Sequence, residues 1–183
     1  MEQSPIEKVI EKISASFGDK VLSQKKEYDF HIVEVERDIL HSLVKFLYDD
    51  AEHPFRFLTT LCGVHYPANE KPYTLMVQLH CLTQNLRIRL KASSGEKEPH
   101  FDSLTDIFPA ANWMEREAYD FYGFKFKGHP NLKRILNVDD MDYFPMRKEY
   151  PVEDLTRYDK DDTMFGRDSS KFDRKKLMEK KKF

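Results

Sequence analysis

The stretch MEREAYDFYGFKFKGHPNLKRIL, Met114 to Leu136, gathers the side chains best suited to chemistry. Glu115, Glu117 and Asp120 stand among Arg116, Phe121 and Tyr122, and His129, Lys133 and Arg134 follow. Acid–base catalysis by paired carboxylates fails on geometry. At about 100° per helical residue, Glu115 and Glu117 point about 200° apart and cannot converge on one bond. Glu117 and Asp120 lie three apart, but no E-x-x-H or H-E-x-x-H accompanies them, as a di-iron or zinc helix requires. His129 sits in a "GHP" turn and reads as a structural histidine. No Ser–His–Asp or Cys–His signature occurs nearby, and the chain has neither GxGxxG nor GxxxxGK[ST] for nucleotide phosphates. Cys62 and Cys81 are isolated, without CxxC, and read as buried thiols rather than zinc or Fe–S ligands. Catalytic, cofactor-binding and metal-ligating residues are therefore all expected to be absent.

Position on the helix offers a different role. Met114, Ala118 and Phe121 share the face expected to meet the core. Glu117 falls between Trp113 and Phe121, while Tyr119 and Tyr122 extend the aromatic surface around Glu115. Arg116 and Asp120, one turn apart, can pair for about 0.2–0.5 kcal/mol. Rings cover most of the circumference, whereas an ordinary surface helix shows one apolar stripe. A second face is expected to be covered. A glutamate between two rings needs a partner, and Arg87, Arg89, Lys133, Arg134, Arg147 and Lys148 are the candidates.

The flanking elements follow from pattern. Ser4, Pro5 and Glu7 open a helix with a capping box, Ile6, Val9, Ile10 and Ile13 form its stripe, and Gly18 stops it. DFHIVEVE, from Asp29, reads as a strand. A second helix is expected from Asp38 as N-cap, with a stripe of Ile39, Leu40, Leu43, Val44 and Leu47. PFRFLTTLCGV reads as a buried strand. YTLMVQLHCL and NLRIRLK alternate with period two, with Thr83 and Gln84 between the runs, which predicts an antiparallel hairpin. A turn over Leu104–Phe108 leads into the main helix, Ala110 to Tyr122, ended by Gly123. The fold class is α/β (α+β): a single domain with a mixed or antiparallel sheet flanked by helices, plus an extended C-terminal segment.

With 183 residues, 40% of them hydrophobic, the chain has length for one domain. No apolar run reaches the roughly 18–20 residues of a membrane span, and the N-terminus has no signal or transit pattern. The net charge of −2 hides polarity: residues 137–162 hold nine acids against four bases, and residues 171–183 seven bases against two acids. The expected organisation is a core over residues 1–128, an extended partner-contacting segment over 129–165, and a basic tail over 166–183. The basic tail and the Arg87–Arg89–Lys91 strand face are the only features favouring a nucleic-acid module. They lack interleaved aromatics, so no nucleic-acid partner is expected.

EREAYDFYGFKFKGHPNLKRIL resembles the signature of the 30-kDa (C-type) subunit family of respiratory NADH–quinone oxidoreductase, complex I. Glu115, Arg116, Glu117, Asp120, Phe121, Tyr122, His129, Lys133, Ile135 and Leu136 fill the pattern's positions. MRKEYP, with Arg147, Lys148, Tyr150 and Pro151, is similar to the family's L-R-K-D-Y-P element, with Met for Leu and Glu for Asp. The resemblance implies a component without an autonomous active site in the peripheral arm of a proton-translocating enzyme. That enzyme passes electrons from NADH through FMN and Fe–S clusters to quinone. This chain itself would hold no cofactor and would pack against the quinone-binding (D-type) subunit and its cluster-bearing (B-type) neighbour. Its place would be the cytoplasmic side of the bacterial inner membrane, with membrane association only through the complex. Related membrane-bound hydrogenases and F420H2- or plastoquinone-type dehydrogenases share the signature. The Lys-rich end matches nothing in it.

Overall fold

The computed structural model describes residues 4–95 and 99–150. Helix α1, Pro5–Phe17, opens as expected, the Ser4 N–H donating to the Glu7 carboxylate at 2.9 Å. It buries Val9 and Ile13 and ends at Gly18, whose positive φ of 52° only glycine adopts cheaply. A short 3₁₀ turn then enters β1, Val21–Glu27, a strand that the sequence pattern did not announce. VLSQKKE has only a weak alternation because it is an edge strand, and its lysines blunt that edge against pairing with other chains.

β2 (Phe30–Val35) precedes helix α2 (Leu40–Asp49), followed by β3 (Phe57–His65), β4 (Tyr73–Cys81) and β5 (Leu86–Ser94). The five strands form a mixed sheet in the order β1-β2-β5-β4-β3, with β2 and β5 parallel and the other pairs antiparallel. The predicted hairpin is present, Cys81 facing Leu86 and Val77 facing Leu90. Its strands stop earlier than expected, leaving residues 82–85 as the connection, with Asn85 at φ 54°. The expected N-cap at Asp38 is corrected: Arg37–Ile39 form a 3₁₀ turn, α2 begins at Leu40, and the Asp38 carboxylate lies 3.3 Å from the Arg37 guanidinium.

One sheet face carries Val33, Val35, Leu75, Val77, Leu79, Ile88 and Leu90 into the core beneath the stripes of α1 and α2. Each such side chain taken fully from water is worth about 1.5–3 kcal/mol. A second, two-stranded parallel sheet joins β6 (His100–Asp102) to β7 (Lys125–Lys127), and helix α3 (Ala111–Tyr122) connects them. The α+β class with a mixed sheet agrees with expectation. Residues 129–150 pack back against helix α3, the Met146 N–H donating to the Phe121 carbonyl at 3.1 Å. Residues 151–183, including Pro151 and the whole expected tail, lie outside the described residues. Among the described residues no helix is long and apolar enough to cross a membrane.

Candidate functional site

Helix α3 lies along β3, where a Cβ on Gly63 would fall 2.8 Å from the Tyr122 ring. Its buried residues are Ala111, Glu115, Ala118 and Asp120. The expected core face of Met114, Ala118 and Phe121 is thus rotated: Met114 packs partly on the core, and Phe121 is half-buried. Trp113 is 60% exposed, so within this chain that side of the helix is left uncovered. Gly123 ends α3 at φ 78°, and a Cβ there would meet the Phe144 ring at 2.6 Å.

Glu115 is wholly buried, where the sequence had suggested a place among surface rings. Its carboxylate accepts hydrogen bonds from the Ser103 hydroxyl and the Leu104 N–H, both at 2.7 Å. Burial pushes its pKa up to about 7, against the lowering effect of those two donors, with Asp106 raising it further.

Asp120 is equally buried but differently supplied. One oxygen accepts from the Arg134 guanidinium at 2.7 Å and the Asn137 side-chain amide at 3.0 Å. The other accepts the backbone N–H groups of Ile135, Leu136 and Asn137 at 3.0, 2.7 and 2.9 Å. Burial disfavours the charge, but the amides of Asn137 and Leu136, with Arg134, outweigh it and hold this carboxyl well below the usual range. Arg134 also donates to the carbonyls of Asp120, Met141 and Tyr143, at 3.0, 2.7 and 2.9 Å.

The expected Arg116–Asp120 pair does not form, because Arg134 occupies the aspartate. Arg116 instead donates to the carbonyls of Lys133 and Arg134, at 3.1 and 3.0 Å, and lies over Trp113. Lys133 thus contributes its carbonyl, while its side chain is exposed. His129 donates from Nε2 to the Asn112 carbonyl at 3.1 Å and accepts the Asn131 N–H on Nδ1 at 3.0 Å, closing its own turn.

Further on, Arg147 is clamped between the Tyr73 and Phe144 rings, 5.1 and 4.8 Å from their centres, and donates to the Tyr122 carbonyl at 2.8 Å. The Lys148 N–H donates to His65 Nδ1 at 3.0 Å, His65 being stacked on Tyr73. Burial holds the His65 imidazole below its ordinary value, Glu149 opposing and Arg147 and Lys148 reinforcing. Tyr150 packs on Tyr143 with centres 5.0 Å apart. Glu117 corrects the sequence reading: it is exposed and forms no ion pair with any described residue. The carboxylates that need partners are its neighbours.

These contacts tie residues 129–150 to α3 and to one end of the sheet. Arg116, Arg134 and Arg147 all donate to backbone carbonyls and so brace the segment. None of the predicted residues lines the shallow cleft of about 380 Å³ beside His41, Ser103, Thr105, Asp106 and Lys127. No group of three His, Cys, Asp or Glu placed to hold a metal occurs among the described residues. Cys81 is buried, but Cys62 is only partly covered.

Residues 33–156, which include every predicted site residue, match the model of the respiratory-chain NADH dehydrogenase 30 Kd subunit family. This chain belongs to that family. The C subunit of NADH-quinone oxidoreductase from Methylobacterium radiotolerans is 39% identical over 154 residues, 82% of this chain and 71% of the relative. Its counterpart from Azorhizobium caulinodans is 39% identical over 149 residues, 80% and 70% of the two chains. In fold, the chain is similar to a trypsin-resistant fragment (1-134) of Nqo5, with a TM-score of 0.59 at 23% identity over 69% of this chain and 98% of that one. It is also similar to a chain of the membrane-bound sulfane sulfur reductase, an archaeal respiratory membrane complex. There the TM-score is 0.70 at 19% identity, over 86% of this chain and 97% of that one.

Sequence reasoning named Arg134 only as one of six possible cations, and outside the family signature it missed Asn137, Ser103 and His65. A usable signal existed for Arg134 and Asn137. An aspartate late in a helix, followed by a turn and an Arg-x-x-Asn, can gather side-chain and amide donors on one carboxylate. Ser103 and His65 are brought in by tertiary packing and leave no local mark.

Proposed function

We propose that this chain is a non-catalytic peripheral-arm component of a proton-translocating NADH:quinone oxidoreductase, scaffolding the hydrophilic arm beside the quinone-binding (D-type) and cluster-bearing (B-type) subunits. The FMN and Fe–S clusters that carry electrons from NADH to quinone then belong to other subunits. Membrane association comes only through the complex, on the cytoplasmic side of a bacterial inner membrane. One observation carries the proposal within the family frame: the signature's Asp120, Arg116 and Arg147 are engaged in fixing residues 129–150 against helix α3. Two relatives named as the C subunit of NADH-quinone oxidoreductase, each 39% identical, favour this complex over a hydrogenase or an F420H2- or plastoquinone-type dehydrogenase.

Affinity purification of the tagged full chain from membranes in mild detergent tests the proposal. Co-purifying cluster-bearing subunits with NADH-oxidising activity is the expected result, and a co-purifying hydrogenase subunit would redirect it. The Arg147→Ala chain should lower the amount of assembled enzyme while cluster content per assembled complex stays normal. Full assembly with selective loss of quinone reduction would instead place chemistry in this chain.

A further inference from the structure

The loop from Leu136 to Tyr143 is held from within and turned outward. Asp120 fixes the N–H groups of Leu136 and Asn137 at its start, and Arg134 holds the Met141 and Tyr143 carbonyls at its end. One buried ion pair thus secures both ends. The side chains outside are not those of an ordinary solvated loop: Leu136 is 64% and Val138 63% exposed, and Tyr143 is exposed beside them. Between them stand Asp139, Asp140 and Asp142, so residues 136–143 hold three acids and no base. All three are exposed, and none forms an ion pair with a described residue.

We propose that this loop is a docking ridge for a basic, apolar-notched surface on another protein subunit of the assembly; the proposal rests on the peripheral-arm reading above. Leu136 and Val138 are the anchors, and the three aspartates set orientation and partner choice. Because the backbone is already fixed, docking incurs little of the ordering cost that a free loop would meet. Charge narrows the occupant to a basic one, and an adduct within the chain would assign it to the chain's own basic residues 171–183. A second copy meeting this ridge through a two-fold axis would set three acids against three acids. Nucleic acid and anionic lipid are repelled by the same charges.

The test uses the full chain replacing the native copy. A photo-crosslinking p-benzoylphenylalanine at Val138 should yield an adduct with a different subunit of the assembled complex. The D139K/D140K/D142K variant should be retained in that complex about tenfold less than the wild type, through loss of charge complementarity. As an isolated chain it should unfold at the wild-type temperature. Adducts confined to the chain itself or to a second copy overturn the ridge, as does wild-type retention of the triple variant. Failure of the wild-type chain to join any arm complex overturns the peripheral-arm reading and the ridge together. Assembly without a Val138 adduct overturns the ridge alone.

Discussion

Glu115 and Asp120 stand five residues apart on one helix, both wholly buried, and their surroundings drive them in opposite directions. Glu115 receives two hydrogen bonds and no cation, so burial dominates and the proton is retained to about pH 7. Asp120 receives five, one from an arginine, and stays charged. What a buried carboxylate does is set by the donors that the fold delivers, not by burial alone. Here the ionised one orders the segment after the helix, and the proton-retaining one seats the helix against the turn at Ser103 and Leu104.

The largest effect should come from breaking the cation-fed side of that pair. Asp120→Ala leaves Arg134, only 7% exposed in its side chain, without its partner. A loss of about 3–5 kcal/mol is expected in denaturant unfolding of the full chain. Next, Glu115→Gln should remove a pH dependence of about 3 kcal/mol, from the distance between 4.5 and about 7. A folded-state pKa above the unfolded value means that the native state holds the extra proton. The wild type's stability from this group is therefore full below about 4.5 and falls as pH rises through about 7, and the glutamine variant should lack that fall. Asp120 works the other way. Its stabilisation is present above the unfolded value of 3.8 and is lost as pH falls below it, which acid titration of the Asp120→Asn chain should show as a missing transition.

A smaller cost, about 1–3 kcal/mol, is expected for Gly123→Ala in thermal unfolding, because the left-handed φ of 78° is strained for alanine. The new Cβ would also crowd Phe144. Glu117→Ala should change stability by less than about 0.5 kcal/mol, since this side chain is exposed and forms no ion pair with described residues. A large loss there would mean that Glu117 does have the partner that its place between two rings led us to expect.

Much of the frame was legible because it depends on local periodicity. The β4–β5 hairpin, the stripe of α2 and the capping box of α1 all follow from residues within a few positions of one another. β1 was not legible, since an edge strand exposed along most of its length has too weak an alternation to read. The site divided along the same line. The residues of the signature could be named, yet their pairing could not. Arg116 and Asp120 are one helical turn apart, and local reasoning pairs them. The fold brings Arg134 from fourteen residues away to take the aspartate first. Likewise Glu115, not Glu117, faces inward, towards the donors of Ser103 and Leu104, and an exposed tryptophan among the rings hides this from the sequence. A helical wheel ranks faces by hydrophobicity and cannot register a carboxylate whose buried partners lie in another element.

The central claim is that the signature residues of α3 shape a segment for other subunits rather than take part in electron or proton chemistry. The most direct test is NADH-to-quinone turnover divided by the quantity of assembled complex, in membranes carrying Asp120→Ala. Fewer complexes, each turning over at the wild-type rate, is the predicted result. Wild-type amounts of complex with depressed turnover would contradict it.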